Sequence, residues 1–289
     1  MIKDRLIKFS VDAKEFKNIL PAILNAAIIK KNIKGNIKKT VLYGVMLNVS
    51  LGKLTLVGCD NYQLAYKIFD VSDNVDINTD YTMVIPIPFI KSCIKLIDLK
   101  KYKIIDFIIN IDNKLIEISS GDFNIKSPGC EDIGIAYPYQ GIKDLIPTEF
   151  TSDIIANRVH LIKSIEGLNN PTNNEFIKLV PYYDDSICTP YHGLKASIGL
   201  RNFRGEGCKV TTDIKTSKMT LEDTKYLDKN LLLKALKKMK CETLHIQTNC
   251  DKLDGIDYNP LVIKPMDKNF TEDTSFTYLL YSVRPDSPE

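Results

Sequence analysis

The stretch "LLLKALKKMKCETLHIQ" (231–247) joins a short basic amphipathic helix pattern to an alternating strand pattern, and "IKLIDLKKYKIIDFIIN" (94–110) does the same. Superposed without a gap at an offset of 137 residues, the two place Leu99, Lys100, Lys101 and Lys103 on Leu236, Lys237, Lys238 and Lys240. Ile105, Phe107 and Ile109 then fall on Glu242, Leu244 and Ile246. Lysines coincide readily in a lysine-rich chain, but a shared switch from helical to strand periodicity is harder to obtain by accident. A period this long signals duplicated domains, not a solenoid with units of about 20 to 50 residues.

A chain of 289 residues suits two domains of roughly equal size. The expected division is 1–142 and 143–289, with a connector near "YPYQGIKDLIPTEF" (137–150). Pro88 is tolerated in the first turn of one helix, and Asp228 can cap the other. Upstream, "LIKFSV" reads as a strand, and Asp12 and Glu15 are spaced as a capping box. The helical stripe of Phe16, Ile19, Leu20, Ile23, Leu24 and Ala27 follows, with Pro21 expected to kink or divide it. In "VLYGVMLNVSLGKLTLVGCD" (41–60), alternation runs up to Leu51-Gly52 and away again, which is a β-hairpin. The second half predicts a helix over "IIANRVHLIKSIEGL" (154–168) and strands in "FIKLVPYY", "ICTPYHGLKASIGL" and "GCKVTTDIK". The pattern is helix then strands, four times over, and the expected class is α+β: two duplicated domains, each with two helices on antiparallel sheets.

Composition excludes several classes. With 44% hydrophobic and 26% charged residues, the chain is neither disordered nor membrane-embedded. No run approaches the ~18 apolar residues of a bilayer span, so a cytoplasmic protein without a membrane partner is expected. Cys59, Cys93, Cys130, Cys188, Cys208, Cys241 and Cys250 are odd in number and free of CxxC, which fits reduced thiols. His160, His192 and His245 lie far apart, "RGEGCK" (204–209) lacks a Walker lysine, and Asp184-Asp185 has no third carboxylate nearby. Neither catalytic residues nor a metal nor a cofactor is expected. A net charge of +3 is small, so the placement of the 39 basic residues matters more than their sum.

Three stretches resemble the DNA sliding clamps, most closely the bacterial β clamp: "LYGVMLNVSLGKLTLVGCDNYQLAY", "FNIKSPGCEDI", and "NPLVIKP" followed by "YLLYSVRP". The resemblance implies a non-enzymatic processivity factor. Its helices would line a central hole around double-stranded DNA without reading sequence, its sheets would face outward, and its partners would be a replicative polymerase and a clamp loader. The bacterial clamp has three domains per subunit and closes as a dimer, whereas this chain has room for two. Six domains would then require a homotrimer, in keeping with a phage or mobile-element version of the clamp.

A clamp must attract a duplex without gripping it, and lysine contacts to phosphate carry no sequence information. On a helical wheel Leu231, Leu232, Ala235, Leu236 and Met239 form one stripe, with Lys234, Lys237 and Lys240 opposite and Lys229 and Lys238 at the boundary. The resemblance turns Lys234, Lys237, Lys238 and Lys240 toward DNA, and the repeat adds Lys91, Lys95, Lys100 and Lys101. "IIKKNIKGNIKK" adds Lys30, Lys31, Lys34, Lys38 and Lys39, and the third helix adds Arg158 and Lys163. In the final strand, Leu279 and Tyr281 match the positions beside the family's partner-peptide pocket, with Tyr281-Ser282-Val283 replacing the more usual Met-Pro-Met. A solvated lysine face is the bland alternative. A clamp-like adaptor that closes no ring and a nucleic-acid-binding accessory subunit are the rival functions.

Overall fold

The alternation in "LIKFSVD" becomes β1 (Leu6–Asp12), with Ile7, Phe9 and Val11 buried. Asp12 ends that strand and starts α1 (Ala13–Ala26): its carboxylate accepts the Glu15 amide at 2.7 Å. The reciprocal half of the box is not used in this way, because the Glu15 carboxylate meets Lys67 Nζ at 2.5 Å. Asp12→Ala should cost about 1 kcal/mol, the usual worth of an N-cap, read as a shift in the denaturant midpoint. α1 continues through Pro21 without being divided.

The computed structural model describes residues 5–27, 44–60, 62–71, 75, 78–129, 146–147, 149–168, 176–184, 191–199, 209–219, 225–249, 252–253, 256–257, 259–267, 269 and 271–281. The chain divides into two units, Met1–Lys143 and Asp144–Glu289.

In the first unit, α1 is followed by β2 (Gly44–Ser50), β3 (Lys53–Cys59), β4 (Gln63–Asp70) and β5 (Asp80–Pro86). Then come α2 (Ile87–Leu96), β6 (Ile104–Asn110), β7 (Leu115–Ser120) and β8 (Phe123–Pro128). The strands pair antiparallel in the orders β1-β6-β7-β8 and β4-β3-β2-β5. The expected hairpin is β2–β3, with Ser50 opposite Lys53. Leu51 and Gly52 between them hold φ of 52° and 68°, the left-handed pair that a two-residue type I′ turn requires.

α1 joins the two sheets. Its Phe16 is fully buried and meets Phe107 of β6 edge-on at 5.3 Å and Phe69 of β4 at 6.3 Å, while Phe9 of β1 stacks on Phe107 at 4.8 Å. The helix lies so close to β3 that a Cβ on Gly58 would sit 2.1 Å from the carbonyl oxygen of Ile23. Glycine is therefore required there by close approach.

The second unit runs β9 (Ser152–Asn157), α3 (Arg158–Glu166), β10 (Phe176–Asp184), β11 (Tyr191–Gly199), β12 (Lys209–Met219) and β13 (Lys225–Asp228). It continues with α4 (Lys229–Lys238), β14 (Thr243–Thr248), a short β15 (Lys252–Leu253) and β16 (Ile256–Asp257) pair, β17 (Leu261–Met266) and β18 (Phe276–Leu280). Its strands follow the order β13-β10-β11-β12-β9-β14-β17-β18; β12 pairs with β11 over Lys209–Lys215 and with β9 from Thr216 on, with a register shift between Thr216 and Lys218 inside the β9 pairing.

Apart from β15 and β16, each unit is one strand, one helix, four strands, one helix and three strands, so the duplication extends over both units. Its register differs from the gapless superposition. The Ala13 amide donates to the Lys103 carbonyl and the Arg158 amide to the Glu242 carbonyl, each at 2.8 Å. Lys103 and Glu242 are therefore counterparts, and Ile105 corresponds to Leu244, not Glu242. The connection from α2 to β6 spans 97–103, while that from α4 to β14 spans 239–242. A gapless superposition cannot fit helix and strand at once. The helix expected over 154–168 also needs correction, because Ile154 and Ala156 are inward residues of β9, and the helix starts only at Arg158.

Candidate nucleic-acid interface

Within each unit the two helices pack against each other, and side-chain cations tie their ends. Lys17 Nζ of α1 donates to the Ile97 carbonyl at the end of α2, at 2.5 Å. In the second unit, Arg158 at the start of α3 donates through Nε to the Cys241 carbonyl (2.6 Å) and through Nη1 to the Leu236 carbonyl (3.2 Å). Lys229 at the start of α4 donates to the Leu168 carbonyl beyond α3, at 2.5 Å. Burial pulls the Lys229 pKa below the ordinary lysine value, against the opposing pull of the nearby Glu166 charge. The last carbonyls of a helix lack intrahelical partners and carry partial negative charge, which is why cations settle there.

The lysines are arranged around these ties. On α4, Leu232, Ala235 and Leu236 are buried, Met239 is buried at the cap, and Lys234, Lys237 and Lys238 are exposed, with exposed Lys240 just past the helix end. Asp228 caps the helix by accepting the Leu231 amide at 2.8 Å. Leu231 and Leu233 are half-buried at the edges of the stripe. On α2, Phe89, Ile90 and Cys93 are buried and Lys91 and Lys95 exposed. Among the described residues the four helices contain only two acids: Glu15, paired with Lys67, and Glu166, whose Oε1 lies 2.6 Å from Lys237 Nζ.

Other predicted residues are placed differently. Lys100 and Lys101 are exposed, but they sit in a turn where Asp98 accepts both of their amides; they are not on a helix. Lys163 is exposed in the last turn of α3. Arg158 is half-buried and committed to the Leu236 carbonyl of α4 and the Cys241 carbonyl beyond it, which removes it from the exposed set. Lys30, Lys31, Lys34, Lys38 and Lys39 fall outside the described residues, as do Cys130, Cys188, Cys208, Cys250 and Asp185. Leu279 is fully buried in β18 and Tyr281 half-buried just after it. Burial pushes the Cys93 thiol up to about 12 and the Cys241 thiol up to about 11, the latter against the nearby Arg158 charge, so both stay protonated near neutral pH. Among the described residues no helix is long and apolar enough to cross a membrane, and no group of three or more His, Cys, Asp or Glu side chains is placed to hold a metal.

The arrangement recurs in solved proteins. The structure of the DNA polymerase sliding clamp from Bacillus subtilis superposes with a TM-score of 0.73 over 98% of this chain, at 16% identity. The fold is that of the DNA sliding clamps. The DNA polymerase III beta chain from Streptococcus pneumoniae superposes over 98% of this chain (TM-score 0.72, 23% identity), and the beta subunit from Thermotoga maritima over 96% (0.72, 16%). This chain spans 65%, 66% and 65% of the lengths of those three clamps. No protein-family model matches the sequence, and a search of curated proteins finds no match.

In this clamp fold the exposed lysines of α2 and α4 were legible from the sequence. The end-capping roles of Lys17, Lys229 and Arg158 were not, because a helical wheel describes one helix and not the neighbour it faces. Asn157 was the available sign that α3 starts late: its Oδ1 accepts the Val159 and His160 amides at 3.0 and 3.1 Å.

Proposed function

We propose that this chain is a DNA sliding clamp, a processivity factor whose copies close around duplex DNA and tether a replicative polymerase after a clamp loader has opened the ring. The observation that carries this reading is the clamp fold matched over 98% of the chain. It is supported by helix faces that expose Lys91, Lys95, Lys163, Lys234, Lys237 and Lys238 and bear almost no acid, with exposed Lys240 just past the end of α4. Such a face neutralises phosphates without reading bases, so binding should be independent of sequence and weaken steeply with salt. The chain supplies two units, so a six-unit ring takes three copies. Leu279 and Tyr281 stand on the final strand as the candidates for partner-peptide contact, and chemistry on DNA is left to the tethered enzyme.

Mass in solution tests the ring. A species about three times 32.8 kDa is expected, either alone or once DNA and a loader are supplied. The decisive assay is polymerase stimulation on primed circular DNA, which should vanish when the circle is linearised and the ring can slide off an end. Stimulation that survives linearisation would instead point to a non-ring adaptor.

A further inference from the structure

The two units repeat one order of elements but differ at one seam. Because Ala13 and Arg158 are counterparts, Ser10 and Val11 of β1 correspond to Ile155 and Ala156 of β9. In the second unit β9 is paired along both edges. On one side it meets β14, and on the other β12, with Ala156 opposite Thr216 and Ile155 opposite Lys218. The counterpart of β12 in the first unit is β4, yet among the described residues β1 pairs with β6 alone. The edge of β1 that corresponds to the β12 side of β9 is left without a strand. Such an edge presents a row of N–H and C=O groups on which a further strand can form.

Where the second unit has that pairing, the first has a cavity of about 420 Å³ between the end of β1 and the end of β4. A volume of this order, roughly 300 to 1,000 Å³, is that of ligand pockets. Its apolar lining is Val11 and Phe69, both buried, with exposed Ile104 at the start of β6. Its charged lining is wholly acidic, from Asp12, Glu15 and Asp70. Asp106 adds a fourth carboxylate beside it by accepting the Ser10 hydroxyl at 2.7 Å. Two lysines lie close by without lining the cavity. Lys67 is buried against Glu15 at 2.5 Å, and Lys53 stands opposite Asp70 in register. Asp12 is exposed, and its Oδ1 already accepts the Glu15 amide.

We propose that this seam is a docking site for an extended segment of a partner protein that carries an arginine. The segment adds a strand to the free edge of β1, and the arginine enters the cavity with its stem on Val11 and Phe69 and its guanidinium between Asp12 and Asp70. In strand addition the main-chain hydrogen bonds supply affinity and the side-chain pocket supplies specificity. A guanidinium fits such a pocket because it donates to carboxylates as a planar fork, while its stem covers apolar surface. The acidic lining selects a cationic segment and repels nucleic acid, so the site is separate in kind from the lysine-bearing helix faces. It belongs to the first unit alone and does not depend on closure of a ring.

A short blocked peptide of alternating valine and arginine, titrated against the intact chain, tests the site. Saturable binding is expected, with slower hydrogen exchange of the β1 amides and no change in those of β9, which is already paired on both edges. Citrulline in place of arginine keeps the shape and removes the charge, and should abolish binding. Methylating alternate backbone nitrogens of the peptide leaves the charge and removes the strand's donors, and should also abolish it, which separates strand addition from plain charge attraction. Asp12→Asn retains an equally good helix cap and should weaken binding about tenfold, the worth of one charge-assisted hydrogen bond. Lack of saturable binding, equal binding of the citrulline or the methylated peptide, unchanged affinity in Asp12→Asn, or protection that appears on β9 and not on β1 would each overturn the proposal.

Discussion

Replacing Lys234, Lys237, Lys238 and Lys240 together with glutamine is expected to flatten the salt dependence of duplex binding. Each lysine that neutralises a phosphate contributes about 0.9 to the slope of log K against log salt, so four contribute about 3.6. At that difference in slope, the ratio of unsubstituted to variant affinity should narrow by about 150-fold as salt rises fourfold, for example from about 50 to 200 mM. The four side chains are exposed, and the one ion pair removed, Lys237 with Glu166, joins two groups that are each about half exposed. Such pairs contribute little, about 0 to 1 kcal/mol, so the fold should survive, which circular dichroism checks. A control variant changes Lys8 and Lys114, exposed residues of the first unit that lie on no helix. If the control loses as much slope per lysine as the helix variant, the charge acts by bulk attraction and the assignment of DNA to the helix faces fails.

Phe16→Ala is expected to be the most damaging single substitution in the first unit, costing about 3 to 5 kcal/mol. The ring is fully buried and touches aromatic partners in both sheets, Phe107 and Phe69. Its loss opens a cavity between sheets and helix where the surrounding backbone is held by β-ladders and has little freedom to collapse. Urea unfolding followed by tyrosine fluorescence gives the comparison, with Ile19→Ala on the half-buried side of the same helix losing much less. A loss below about 1 kcal/mol for Phe16→Ala would mean that α1 rests on the sheets without joining them.

Much of the fold was legible because its signals are local. The Leu51-Gly52 turn, the Asp12 and Asp228 caps and the buried stripe of α4 each follow from a few neighbouring residues, and the structure places each as expected. The duplication was legible for a similar reason, since helix and strand periodicities recur in one order. Its register was not, because the superposed lysines lie in the turn after α2 but mostly in the last turn of α4, and the two connections differ by three residues. Apolar residues Ile154, Ile155 and Ala156 fit either period, and it is the pairing of β9 with β14 and β12 that makes them strand. Of the candidate site, the lysines on α2 and α4 could be named from a wheel. Arg158 could not be assigned that way, because its task depends on a carbonyl 78 positions away.

That tie has an electrostatic consequence for the lysine-bearing helix faces. An uncompensated helix C-terminus presents about half a negative charge, which would offset part of the positive field of lysines nearby. Lys17, Arg158 and Lys229 place positive charge on those ends from neighbouring helices. They therefore even out the potential that the exposed lysines create, so side chains committed to a neighbouring helix also shape the charge of the outward faces.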